Sequence, residues 1–294
     1  MRKLPALVAL SALLIMQSCN SSDNKAGAAN GDGVALKFNL QKGKSYTYAM
    51  NMDMEGETQG QKMENEMAFD YTVEVVNDQD SLKTLKTTYD RIKMEMNAGA
   101  TNIDFDTNEP QKDSAADPRQ NPMGMMSNMF YAMKGKSFEM KVNEKGEVKS
   151  VAGISELMNA VINSMQVDEN TKQGVAQVFQ SQFNEDAIKS SFSQAFNIFP
   201  DKPVKVGDTW TKTVGMPAMA GGNITTNYKV KEINGNTVVL DVASDLSSSG
   251  MQGAQTGTMK VDATTGLVTE GNMEQKFTSP TAMTIKVVIK GTEK

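Results

Sequence analysis

The chain has 294 residues and a net charge of −5 with no basic cluster, which disfavours a nucleic-acid partner. It contains no histidine, so the commonest general base, proton shuttle and transition-metal ligand are all missing. With a single cysteine and no GxSxG, SxxK or HExxH spacing, a non-enzymatic protein without cofactor or metal centre is expected.

Arg2 and Lys3 precede an apolar run over 4–16 that is too short to span a bilayer, the organisation of a signal peptide over 1–18. The run closes on Met16-Gln17-Ser18-Cys19, with a small residue directly before the only cysteine. This resembles the lipobox of bacterial lipoproteins, in the looser form found in Bacteroidetes. The resemblance implies that Cys19 becomes the lipidated, palmitate-bearing first residue of the mature chain. Residues 20–33 have no large apolar side chain, so 19–33 reads as the lipidated cysteine plus a disordered tether. Asn20 after the cysteine resembles lipoproteins sent to the outer membrane in enteric bacteria, and the lone Asp23 falls short of the denser acidic run of surface-exported Bacteroidetes lipoproteins, which together imply the outer membrane with the domain facing the periplasm.

From Val34 the pattern has period two. Tyr46, Tyr48, Met50, Met52 and Met54 alternate with polar residues, as in a strand with one buried face. A second strand follows over 63–75, a turn at 77–80, and a third strand over 82–97 in which Ile92, Met94 and Met96 share a face. Residues 97–121 are polar and broken by Gly99, Pro110 and Pro118, with one short strand over 103–106. Asp104, Asp106 and Asn108 imitate the start of an EF-hand loop, but Glu109 and Ala115 stand where that loop needs Gly and Glu, so calcium is not expected. A helix over 122–133 carries Met126, Met129, Phe130 and Met133 at helical spacing. Strand character returns over 138–142 and at Val148.

Ile154, Leu157, Met158, Val161, Ile162 and Met165 form the clearest amphipathic helix. Asp168 is placed to cap a second helix carrying Val175, Val178 and Phe179, and Asn184 a third carrying Ile188, Phe192 and Phe196. Pro200 and Pro203 end the helical region, Gly207-Asp208 makes a tight turn, and Trp210, the only tryptophan, opens the last strands. These are expected over 210–214, 225–233, 237–246, 256–262, 267–276 and 282–290, with a hairpin at Asn234-Gly235.

The second series of strands echoes the first. Gly43-Lys44-Ser45-Tyr46 matches Gly207-Asp208-Thr209-Trp210, and Tyr71-Thr72-Val73 matches Tyr228-Lys229-Val230. Met140-Lys141-Val142-Asn143 with Gly146 and Val148 matches Met259-Lys260-Val261-Asp262 with Gly266 and Val268. The expected architecture is therefore α+β: a large curved antiparallel sheet or open barrel from two related β-halves, 34–153 and 199–294, with a helical layer over 154–198 between them in sequence. Residues 34–294 are read as a single domain, the alternative being two β-subdomains sharing one core.

Lys42-Gly43-Lys44-Ser45-Tyr46, Gly135-Lys136-Ser137-Phe138 with Gly146, and the stretch through Gly207-Asp208-Thr209-Trp210 resemble a family of Bacteroidetes cell-envelope lipoproteins known only as a domain of unknown function. That resemblance implies an envelope protein and brings no catalytic residues.

The 23 methionines frame the functional expectations. Met-rich faces adapt to greasy ligands, so a binding or carrier module for an apolar small molecule is expected, with Met50, Met52, Met94 and Phe192 as candidate lining residues. A structural or interaction lipoprotein contacting another envelope protein is the alternative. A third reading uses the thioethers of Met50, Met52 and Met54, of Met94 and Met96, and of Met123, Met125 and Met126 as ligands for Cu(I) or Ag(I).

Overall fold

The computed structural model describes residues 33–58, 61–79, 81–98, 101–111, 122–165, 167–182, 185–216, 222–246, 252–279 and 281–294. The expected signal peptide over 1–18, Cys19 and the expected tether up to residue 32 lie outside the described residues, as do Asn184 and the side chains of Val175, Val178 and Phe179.

Four strands come first: β1 Ser45–Thr58, β2 Gln61–Gln79, β3 Leu82–Ala98 and β4 Thr101–Asp106. Helix α1 Pro122–Met133, strands β5 Ser137–Asn143 and β6 Val148–Ala152, and helices α2 Ile154–Ser164, α3 Glu169–Gln182 and α4 Glu185–Phe196 follow. The chain continues through β7 Thr209–Met216, β8 Gly222–Asn234, β9 Thr237–Asp245, β10 Gln252–Asp262, β11 Val268–Ser279 and β12 Met283–Glu293. Every expected element is present, most strands longer than expected. The turn after β2 falls later than 77–80: β2 runs to Gln79, which pairs with Leu82, and Ser81 takes φ 62°. Asp168 caps α3 as read, its Oδ1 accepting the Thr171 amide at 3.1 Å.

All pairings are antiparallel and join into one large open sheet of order β6-β5-β3-β2-β1-β12-β11-β10-β9-β8-β7, with β4 paired to β3 off this path. Burial alternates along the strands: in β9, Val238, Leu240 and Val242 are buried between half-buried neighbours. One buried cluster runs from Leu36 and Tyr46 through Ile92, Phe138, Val161 and Phe196 to Leu240 and Val287.

The terminal strands β6 and β7 both contact α4. The eleven strands of the path, laid flat at about 4.8 Å apart, would put those edges roughly 48 Å from each other, whereas the 12 residues of α4 span only about 18 Å. The sheet must therefore curl to bring both edges to one helix, and it stays open because a helix cannot complete a strand ladder.

The same local structure recurs in the two series of strands. The Gly43 amide donates to the Val75 carbonyl at 2.9 Å and the Val75 amide to Lys44 at 3.1 Å; the Gly207 amide donates to Val230 at 2.8 Å and the Val230 amide to Asp208 at 2.9 Å. A bulge follows each valine, between Val75 and Asn77 and between Val230 and Glu232. Bulges also coincide where Val142 faces Val148 and where Val261 faces Val268. Two of the three sequence matches hold in position. The third does not: Val75, not Val73, stands where Val230 does, so the tyrosines Tyr71 and Tyr228 are two residues out of register with each other.

Candidate functional site

A cavity of about 250 Å³ lies between the inner face of the sheet and α4. Tyr48, Met50 and Met52 of β1 and Tyr71 of β2 line it from one series of strands, and Tyr228, Val242, Met259, Val268, Met273, Val287 and Ile289 from β8 to β12. Ser191, Gln194, Ala195 and Phe196 of α4 form the remaining wall, with Phe38, Ile198 and Phe199 from the lead-in segments. Cross-strand pairing makes the lining continuous: Met50 sits opposite Ile289, Met52 opposite Val287, and Val287 opposite Met273.

Aromatic contacts fix the walls. Tyr48 and Tyr71 are directly opposite in register and their rings stack at 5.3 Å and 14°. Phe192 of α4 meets Tyr71 edge-on at 6.3 Å and also touches Phe138 and Phe196. Trp210 stacks on Tyr228 at 5.4 Å and donates its indole Nε1–H to the Ile198 carbonyl at 2.8 Å, which ties the segment after α4 to β7. Gly266 of the lining, at φ 73°, has no room for a Cβ, which would overlap the Lys37 carbonyl.

A polar row crosses β8 to β11 at one level of the inner face. Thr226 and Ser244 share a hydrogen bond at 2.9 Å, Gln255 Nε2 approaches Ser244 Oγ at 3.4 Å, and Gln275 Nε2 donates to Gln255 Oε1 at 2.8 Å. Among the described residues no Asp, Glu, Lys or Arg lines the cavity. Burial raises the Tyr228 phenol to about 12 and pushes Tyr48 and Tyr71 up as well, so all three stay protonated.

Of the residues singled out from sequence, Met50 and Met52 line the cavity, whereas Met94 and Phe192 do not. Met94 is buried and faces Phe105 across the β3–β4 pair, and the Phe105 ring stacks on Phe130 of α1, so that part of the interior is filled by packed side chains. Phe192 stands behind the wall, wedged among the rings of Tyr71, Phe138 and Phe196. Sequence reasoning missed Tyr71, Tyr228 and Met273, because a period of two gives a face but not the depth along it. Asp106 of the EF-hand-like stretch is taken by Arg91, whose Nε donates to Oδ1 at 3.0 Å. Among the described residues no group of three or more His, Cys, Asp or Glu is placed to hold a metal. The side chains of Met123, Met125 and Met126 lie outside the described residues. No helix of the described residues is long and apolar enough to cross a membrane.

Fold and site together define a class: an open, largely antiparallel β-sheet protein with an uncharged interior cavity walled on one side by a helix. The chain belongs to the family of unknown function DUF6263, whose model matches residues 80–268. No curated protein matches it. Among solved structures it is similar to Rv2717c from M. tuberculosis, at 8% identity and a TM-score of 0.25, over 84% of this chain and 89% of that one. It is also similar to the COG4313 outer membrane channel from Pseudomonas putida F1, at 8% identity and a TM-score of 0.19, over 90% of this chain and 100% of that one. Likenesses this distant carry no argument about fold or function.

Proposed function

We propose that the protein is a membrane-anchored envelope lipoprotein of the Bacteroidetes type, lipidated at Cys19, whose folded part is a non-enzymatic carrier for a small apolar ligand. In this reading two related β-halves curl around one interior, the helices over 154–198 cover it, and the tether holds the domain off the outer membrane on its periplasmic side. The observation that carries the reading is the 250 Å³ cavity. It is larger than the ~150 Å³ void that stays dry and admits benzene and just below the roughly 300–1,000 Å³ of drug-sized pockets. Its Met50, Met52, Met259 and Met273 walls reshape at little cost around an irregular apolar guest.

The test is native mass spectrometry of protein taken from envelope extracts without harsh detergent. A co-purifying apolar small molecule, lost when Met52→Trp fills the cavity, supports the carrier. A ligand-free protein that also refuses added apolar probes leaves the scaffold or interaction lipoprotein standing instead. The anchor is tested separately: Cys19→Ser is expected to abolish palmitate labelling and move the protein from the membrane to the soluble fraction, and an unlabelled, soluble wild type would overturn it.

A further inference from the structure

We infer that the ligand of the cavity is an uncharged molecule bearing a carbonyl-type oxygen, which accepts hydrogen bonds from the paired hydroxyls of Tyr48 and Tyr71. This rests on the carrier reading above. The first ground is charge. With no Asp, Glu, Lys or Arg among the described lining residues, an ionised headgroup would give up its water with nothing opposite to offset the loss. Fatty-acid carboxylates, phosphates and amines are therefore poor guests, and neutral ketones, esters and related carbonyl compounds are good ones.

The second ground is the accounting of polar groups. Thr226, Ser244, Gln255 and Gln275 are bonded to one another, the Tyr228 ring is held by stacking on Trp210, and the Ser191 hydroxyl donates to Ala187 in its own helix. The Gln194 amide and the Tyr48 and Tyr71 hydroxyls differ: among the described residues none of them has a hydrogen-bond partner, and Tyr48 is only 5% exposed. A donor on a cavity wall with no protein partner marks a place where a guest atom or water completes the bond.

The third ground is geometry. Tyr48 and Tyr71 face each other directly across β1 and β2, and their rings are nearly parallel, 14° apart at 5.3 Å. Side chains of such a pair project to the same side of the sheet, which sets the two O–H groups next to each other at the cavity wall. Two donors side by side suit one oxygen with two lone pairs. Burial holds both phenols in the protonated, donating form.

The experiment uses the full chain carrying Cys19→Ser, which keeps every cavity residue, and three probes of nearly equal shape: acetylnaphthalene, ethylnaphthalene and naphthoate. Isothermal titration is expected to give a Kd for the ketone about tenfold below that of the hydrocarbon, and at least about a hundredfold below that of the carboxylate. The double variant Tyr48→Phe with Tyr71→Phe should lose the ketone's advantage while binding ethylnaphthalene as before. Naphthoate binding as tightly as the ketone, or a ketone preference that survives in the double variant, would overturn the inference. If all three probes bind alike, the headgroup inference falls and the carrier stands; if none binds, both fall. The comparison among probes needs only the unsubstituted cavity, so a variant that fails to fold does not shelter the idea.

Discussion

The two joins of the curled sheet make the most instructive comparison in the molecule. At one, β12 pairs along its length with β1 on one side and β11 on the other, a wall sealed by backbone hydrogen bonds. At the other, α4 occupies the corresponding place between β6 and β7. A helix uses its own amides and carbonyls internally except at its ends, so along its length it holds those edges through side chains. Ser190 Oγ donates to the Gly215 carbonyl of β7, Phe192 wedges among rings, and Phe196 lies against Gly146. The helical join can therefore shift without breaking a ladder, and it carries the cavity wall formed by Ser191, Gln194, Ala195 and Phe196.

The largest effect should come from attacking the strand join. Val288 is paired with Asn51 and with Asn272, so Val288→Pro removes a donor in a strand bonded on both sides. Loss of cooperative thermal unfolding by circular dichroism is expected, and a variant that melts normally would refute a sealed join. Gly146→Ala sharpens the view of the helical join. A Cβ there would overlap the Phe196 carbonyl at the end of α4, whereas Gly43 has the same positive φ of 77° and nothing within 4 Å. Urea titrations should give a loss of about 3 kcal/mol for Gly146→Ala, from strain plus overlap, against about 1 kcal/mol for Gly43→Ala. Equal losses would mean that the docking of α4 on the turn contributes nothing.

The smallest effect concerns the excursion β4–α1, which only one series of strands carries. Arg91 grips Asp106 with Nη2 to Oδ2 at 2.5 Å and holds its carboxyl below the ordinary range, first through hydrogen bonding. A lowered folded value means the contribution is complete above the unfolded pKa near ~4 and is lost as pH falls through the folded value. Asp106→Asn should cost about 1 kcal/mol at neutral pH and flatten the acid limb of a stability curve. An unchanged acid limb would show the pair to be dispensable.

Much of this architecture was legible because period-two runs and caps are local signals: α1 begins and ends at Pro122 and Met133 as read, and β9 begins at Thr237. The join of β1 to β12 was not legible, since nothing near Ser45 announces a partner more than two hundred residues away. The same limit explains the site. Met50 and Met52 could be placed on an inward face, but whether an inward face meets a void or a neighbour depends on what crosses over it. Beside Met94 stand Phe105 of the paired strand β4 and, stacked on it, Phe130 of α1, whereas Met52 borders the cavity. The misaligned Tyr71 and Tyr228 show a further limit, because residue identity drew the match while the bulge after each valine sets the true correspondence.

The pairing of β1 with β12 also dictates a schedule. β1 is made early and β12 after every other strand, yet each is the other's neighbour, and the Lys294 amide bonds back to the Ser45 carbonyl at 2.9 Å. Until residues 283–293 emerge, one edge of β1 has no partner within the chain, a long unpaired strand rich in apolar side chains. Closing so large a loop is slow, and the waiting edge is a template for pairing with other chains. A nascent copy thus carries an open edge for the whole interval between its first strand and its last.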